Sequence, residues 1–184
     1  MNSRVNSIEG VQLKVAESSQ DFRGSFTKFN LNGLFEDSVK SVALSSNQKQ
    51  GTIRGLHFQT EPFAEEKLVS CIQGSIFDVL VDLRPTSKTF GKWTSFELTQ
   101  QNQLQLFIPK GLAHGFQTLE SNSIVHYCLS AKHSPKNSFS LNPFYNSSVN
   151  WPLSVTSISE RDANGLSLAL AAKEISNYLD TDSI

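Results

Sequence analysis

The sequence predicts a mostly β protein, a sandwich or barrel of jelly-roll type with one helix at the C-terminal end. Three observations carry that expectation. Thirteen phenylalanines and many short alternating apolar–polar segments run along the 184 residues. Gly, Pro, Asn and Ser punctuate these segments at near-regular intervals, as in all-β folds built from many short strands. Helical spacing of apolar residues is sustained only late in the chain.

The elements follow in order. Strands are expected over Gln12–Ala16, Ser25–Asn30, Ser41–Ser46, Lys67–Gln73, Ser75–Asp82, Lys92–Leu98, Gln103–Ile108, His114–Thr118 and Ser123–Leu129. Gln73-Gly74 reads as the turn of a hairpin spanning Val69 to Val79, since glycine supplies the positive φ such turns need. Leu83–Lys88 is a loop, and Ile108-Pro109-Lys110-Gly111 ends one strand before the next. Leu31–Phe35 reads as a single helical turn. Ser159-Glu160-Arg161-Asp162 offers an N-cap, and Leu166–Leu179 carries the helical period.

The length suits one domain over residues 1–184, with a core at about 20–130 and a C-terminal extension at about 150–184. Net charge is −1 and no basic block occurs, so there is no electrostatic footprint for nucleic acid or a membrane surface. No apolar run is long enough to span a bilayer, and the N-terminus lacks a signal core. Cys71 and Cys128 lie in apolar strands and read as buried, reduced thiols. These features together predict a soluble cytoplasmic protein.

The segment richest in chemistry is Arg54-Gly55-Leu56-His57-Phe58-Gln59, followed by Lys67-Leu68-Val69. It places a histidine, suited to proton transfer near neutral pH, among cations suited to an anionic substrate and a developing oxyanion. Strict alternation would put Arg54 and His57 on opposite faces, so a turn or bulge at Gly55 is required to bring them together. Taken alone, His57 could equally be a satisfied core histidine. Tyr127 reads by itself as a core-edge aromatic, Asp162 as a first-turn helix acid, and Lys67 and Arg23 as surface charges. No phosphate loop, serine nucleophile motif, paired catalytic carboxylate motif or dinucleotide fingerprint occurs. Pro109–His114 is similar to the second metal motif of cupins. Gln59, however, stands where the first motif places a second histidine, and an amide replaces imidazole poorly on a transition metal. No metal is expected, and His114 should line the cavity as a hydrogen-bond donor.

Many ordered segments together resemble the dTDP-4-dehydrorhamnose 3,5-epimerase family. They are Asp21–Phe26, Ile53–Gln59, Lys67–Val69, Gly74–Arg84, Thr89–Trp93, Ile108–Phe116, Tyr127, Trp151-Pro152 and Ile158–Asp162. The resemblance implies a metal-free, cofactor-free cupin jelly roll (a double-stranded β-helix) acting as a homodimer. It implies epimerisation of a nucleotide-linked 4-keto-6-deoxyhexose at carbon 3, carbon 5 or both. By position it casts His57 as general base, Asp162 as its orienting carboxylate, Tyr127 as the acid and Lys67 as partner of the enolate oxygen. Arg23, Lys28, Arg54, Gln59, His114 and Arg161 fall at substrate-contacting positions.

Some positions depart from the family pattern. Lys28 stands where the family commonly has glutamate. Val42-Ala43-Leu44 replaces a Gln-x-Asn segment, the glutamate–glycine pair near 134–143 is absent, and Pro143 replaces an aspartate. All bear on recognition, so the nucleotide is left open among dTDP, CDP and GDP. Two rival readings share the scaffold: a 3,4-ketoisomerase of a 4-keto nucleotide sugar, and a non-catalytic sugar-nucleotide-binding cupin. The placement of Tyr127 and Asp162 favours the epimerase over the first, and the intact set of His57, Lys67, Tyr127 and Asp162 argues against the second.

Overall fold

Twelve strands and two helices make up the computed structural model, which describes residues 7–31, 33–145 and 149–179. The strands are β1 (Gln12–Val15), β2 (Glu17–Asp21), β3 (Gly24–Lys28), β4 (Ser41–Asn47), β5 (Ile53–Gln59), β6 (Lys67–Gln73), β7 (Ser75–Asp82), β8 (Trp93–Thr99), β9 (Leu104–Ile108), β10 (Leu112–Thr118), β11 (Ser123–Leu129) and β12 (Ser138–Ser140). The helices are α1 (Glu160–Ala163) and α2 (Leu168–Leu179). One antiparallel sheet has the order β1-β9-β6-β11-β4 and the other β12-β5-β10-β7-β8. From β4 onward the chain passes repeatedly between the sheets, which makes the sandwich a jelly roll. No helix among the described residues is long and apolar enough to cross a membrane.

The expected hairpin at Gln73-Gly74 does not form. β6 pairs with β9 and β11, whereas β7 pairs with β8 and β10, so Gly74 marks a crossing between sheets. Its φ is +73°, and a Cβ there would lie 2.5 Å from the Ser123 hydroxyl and 3.1 Å from its Cα. Glycine is needed as foreseen, but to let the corner close against β11. Strands β2, β5 and β12 lie outside the expected ranges: β2 is polar and fully exposed, β5 holds the histidine segment, and β12 is only three residues long. The C-terminal region is two helices, with Ser159 capping α1 and accepting a hydrogen bond from the Asp162 N–H. The turn near residue 31 is closed by Leu34 N–H donating to Leu31 O at 3.2 Å.

Alternation along the strands builds the core. Ile76, Leu80, Leu106, Leu112, Phe116 and Val125 pack between the sheets. Leu56, Phe58, Val79, Val81 and Ala113 face the other way and are covered by the C-terminal region, including Trp151, Leu168 and Ala171. The outer face of the first sheet packs Leu68, Phe107 and Cys128 under Leu34 and Phe35. Burying these layers supplies the main stabilisation, at roughly 25 cal/mol per Å² of apolar surface. Cys71 and Cys128 are free and buried, and burial pushes the Cys71 thiol up to about 11.

Candidate active site

The same alternation sends polar side chains inward at one end of the sandwich, where the sheets part around a cavity of about 340 Å³. Strand β5 supplies Arg54, His57 and Gln59, β10 supplies His114, and β6, β11 and β4 supply Lys67, Tyr127 and Ala43. His57 and His114 are direct register partners, but Phe116 pairs with Arg54, so β5 carries an extra residue there. That bulge is the one required to turn Arg54 and His57 to the same side. Gly55 allows it: φ is +118°, and a Cβ would meet Gly115 Cα at 2.6 Å and His114 O at 2.7 Å.

His57 Nε2 donates to Asp162 Oδ1 at 2.7 Å. The Ser140 hydroxyl also donates to Oδ1, at 3.0 Å, and the Gly55 N–H to Oδ2, at 3.2 Å. Burial alone would raise the Asp162 carboxyl. The hydrogen bond and charge of His57, with the Gly55 and Ser140 bonds, outweigh it and hold the group down at about 2. An ionised carboxylate on Nε2 fixes the ring tautomer and leaves Nδ1 free to accept a proton.

Tyr127 stands on the opposite sheet. Burial, then the nearby Asp78 charge, pushes its hydroxyl well above the ordinary tyrosine range, so it is protonated at neutral pH. Its ring meets His114 edge-on at 6.1 Å. His114 Nε2 lies 2.8 Å from Asp78 Oδ2, forming a second imidazole–carboxylate pair, here fully buried. Burial raises the Asp78 carboxyl against the pull of His114 and Lys67. Asp78 was missed, although a carboxylate at an inward position between Ile76 and Leu80 is a legible signal.

The remaining positions divide. Arg54 Nε donates to Asn47 Oδ1 at 2.7 Å. Arg161 lines the cavity mouth and donates to Ser138 O and Oγ at 3.0 and 2.9 Å. Gln59 lines the cavity, but backbone groups engage its amide. Oε1 accepts from Ser134 N–H at 2.8 Å, while Nε2 donates to Phe63 O at 3.0 Å and Lys132 O at 3.3 Å. Arg23 and Lys28 lie outside the cavity on the exposed β2–β3 hairpin. Arg23 pairs with Asp21, and Lys28 lies over the Phe26 ring. Val42 and Leu44 point away from the cavity, 63% and 62% exposed, and only Ala43 of that trio faces in. Glu65 and His133 also line the wall and had no signal in the sequence. Among the described residues no three His, Cys, Asp or Glu side chains gather as a metal site.

A family model described as dTDP-4-dehydrorhamnose 3,5-epimerase matches residues 6–169. A dTDP-4-dehydrorhamnose 3,5-epimerase of Sinorhizobium fredii is 40% identical over 171 residues, covering 88% of this chain and 87% of the relative. The crystal structure of a dTDP-6-deoxy-D-glucose-3,5-epimerase from Legionella pneumophila in complex with dTDP-4-keto-L-rhamnose superposes with a TM-score of 0.85. It is 32% identical, with 94% of this chain and 95% of that one covered. A 3′-monoepimerase from Streptomyces bikiniensis in complex with dTDP-quinovose gives a TM-score of 0.84 at 25% identity, covering 99% and 96%. With a match across almost its whole length and a shared jelly-roll fold, the chain belongs to the dTDP-4-dehydrorhamnose 3,5-epimerase family.

Proposed function

We propose that this chain is an isomerase that epimerises a dTDP-linked 4-keto-6-deoxyhexose at carbon 3, carbon 5 or both, in deoxysugar biosynthesis. The observation that carries the reading is the cavity's two-sided wall: an ionised Asp162 behind His57 on one sheet, a protonated Tyr127 on the other. A sugar lying between them would meet a base on one face and an acid on the other. The ketone at carbon 4 acidifies the adjacent C–H bonds, because the carbanion delocalises onto oxygen. His57 Nδ1 takes that proton, and Asp162 favours the imidazolium that results. Lys67 and the buried His114–Asp78 pair stand ready for the enolate oxygen, where one preorganised donor contributes roughly 10²–10³. Tyr127 then donates its proton to the opposite face, and the configuration inverts with no redox change. A positioned acid or base contributes typically ~10²–10⁴. Arg54 and Arg161 suit the diphosphate.

The working unit in this reading is a cytoplasmic homodimer. Phe22 and Phe26 on the β2–β3 hairpin are 97% and 64% exposed, and the edge strands β1 and β4 carry exposed Leu13, Val15, Val42 and Leu44. A second copy would cover these apolar side chains. Arg23 and Lys28 lie outside this chain's cavity, so a substrate contact from either needs such a partner.

Incubation in heavy water with dTDP-, CDP- and GDP-linked 4-keto-6-deoxyglucose, followed by NMR, tests the reading. Deuterium should enter at carbon 3, carbon 5 or both of the dTDP sugar. Absence of exchange with every sugar would refute it.

A further inference from the structure

Inside a cavity suited to an anion, one lining side chain is itself an anion. Glu65 lies two residues before Lys67, ahead of β6, and both face the cavity. Lys67 Nζ is 3.2 Å from Glu65 Oε1, with the two side chains only 9% and 11% exposed. Asp78 also interacts with the Lys67 charge, but its Oδ2 is taken by His114 at 2.8 Å. At 3.2 Å Glu65 is in direct contact with the ammonium, whereas Asp78, whose Oδ1 has no hydrogen-bond partner, acts on it through its charge.

Taking two charges out of water is unfavourable, and an anion beside a diphosphate and an enolate repels both. A carboxylate kept there needs a compensating role. Lysine has a flexible stem and a compact charge, so an untethered ammonium would spread over many rotamers. A partner two residues away that lines the same cavity removes that freedom and offsets desolvation of the charge.

We propose that Glu65 is a positioning residue that keeps the Lys67 ammonium aimed at the enolate oxygen. The inference rests on the epimerase reading above. Because the oxygen is anionic only after proton removal, the effect of Glu65 falls on the chemical step and leaves nucleotide binding nearly unchanged.

Glu65→Gln keeps the side chain's size and removes its charge. We expect kcat to fall about tenfold, mid-range for side chains in direct contact, with KM within about twofold. In a Lys67→Gln background the same substitution should change the residual rate less than about twofold. A wild-type kcat in Glu65→Gln, a loss carried by KM, or an equal loss in both backgrounds would overturn the proposal. A second arm needs no turnover: brief acetic anhydride treatment, with Lys67 labelling read by mass spectrometry against the other lysines. Glu65→Gln should label Lys67 at least about threefold faster, since the amine has lost its partner. Unchanged labelling overturns the proposal even if the protein turns over no sugar. An inactive wild type instead refutes the epimerase reading, and the labelling arm still decides this one.

Discussion

Replacing Asp162 with Asn removes one charge from the site and keeps the side chain's volume. In the native protein this carboxylate accepts hydrogen bonds from His57 at 2.7 Å, Ser140 at 3.0 Å and Gly55 at 3.2 Å. Against the effect of burial, they lower it from an ordinary 3.8 to about 2. That depression is worth ~2 kcal/mol in favour of the ionised form. If most of it is the attraction to His57, losing it slows proton abstraction ~30-fold through charge alone. An amide can also turn its NH₂ toward Nε2, which forces the proton onto Nδ1 and blocks the base. Losses from a wrong tautomer in a His–Asp pair reach about 10⁴. Asp162→Asn should therefore lower the initial rate of deuterium wash-in, read by NMR at pH 7, by ~30-fold to ~10⁴-fold. A rate within threefold of wild type, with an unchanged pH profile, would refute the orienting role.

Three further expectations follow from the same geometry. Tyr127→Phe removes a partly buried donor, so formation of inverted product should fall ~10²-fold or more while wash-in falls much less, because His57 can still exchange its proton; equal loss of both would contradict an acid on the opposite face. Gly55→Ala forces a Cβ to within 2.6 Å of Gly115 Cα at φ +118°, and should abolish activity and lower Tm by several degrees; a thermal melt and rate equal to wild type would remove the need for the bulge. Asp162 titrates at about 2 in the folded chain, below its ordinary 3.8, so it stabilises the fold above about pH 4, and that contribution is lost as pH falls toward 2. Urea midpoints over this range should show ~2 kcal/mol more acid loss in wild type than in Asp162→Asn, and parallel curves would refute the assignment.

What the sequence revealed divides along physical lines. β6, β7 and β11 have the expected bounds because each is an apolar run closed by Gly, Pro or Asn. The bulge at Gly55 was legible because chemistry demanded Arg54 and His57 on one side, and alternation forbade it without an extra residue. Which sheet a strand joins is a non-local outcome. Gly74 signals a positive φ but does not say that the chain crosses to the other sheet. β2 escaped notice because Glu17–Asp21 is polar and exposed, with no apolar period. At the site, Arg54, His57, Lys67, His114, Tyr127 and Arg161 reach one cavity, with Asp162 behind His57. Two supports were hidden, since Asn47 on Arg54 and Ser140 on Asp162 arise from strand register and cross-strand neighbours, whereas Asp78 on His114 was legible as an inward carboxylate. Arg23 and Lys28 fall on an exposed hairpin, a placement no local pattern encodes.

The most direct test is deuterium wash-in by wild type and His57→Ala side by side, in heavy water with dTDP-4-keto-6-deoxyglucose. If His57 is the base, wild type exchanges at carbon 3, carbon 5 or both, and the variant exchanges at none of the positions that wild type labels. Exchange by the variant at an undiminished rate at any of them would show that another group removes the proton, and would contradict the assignment.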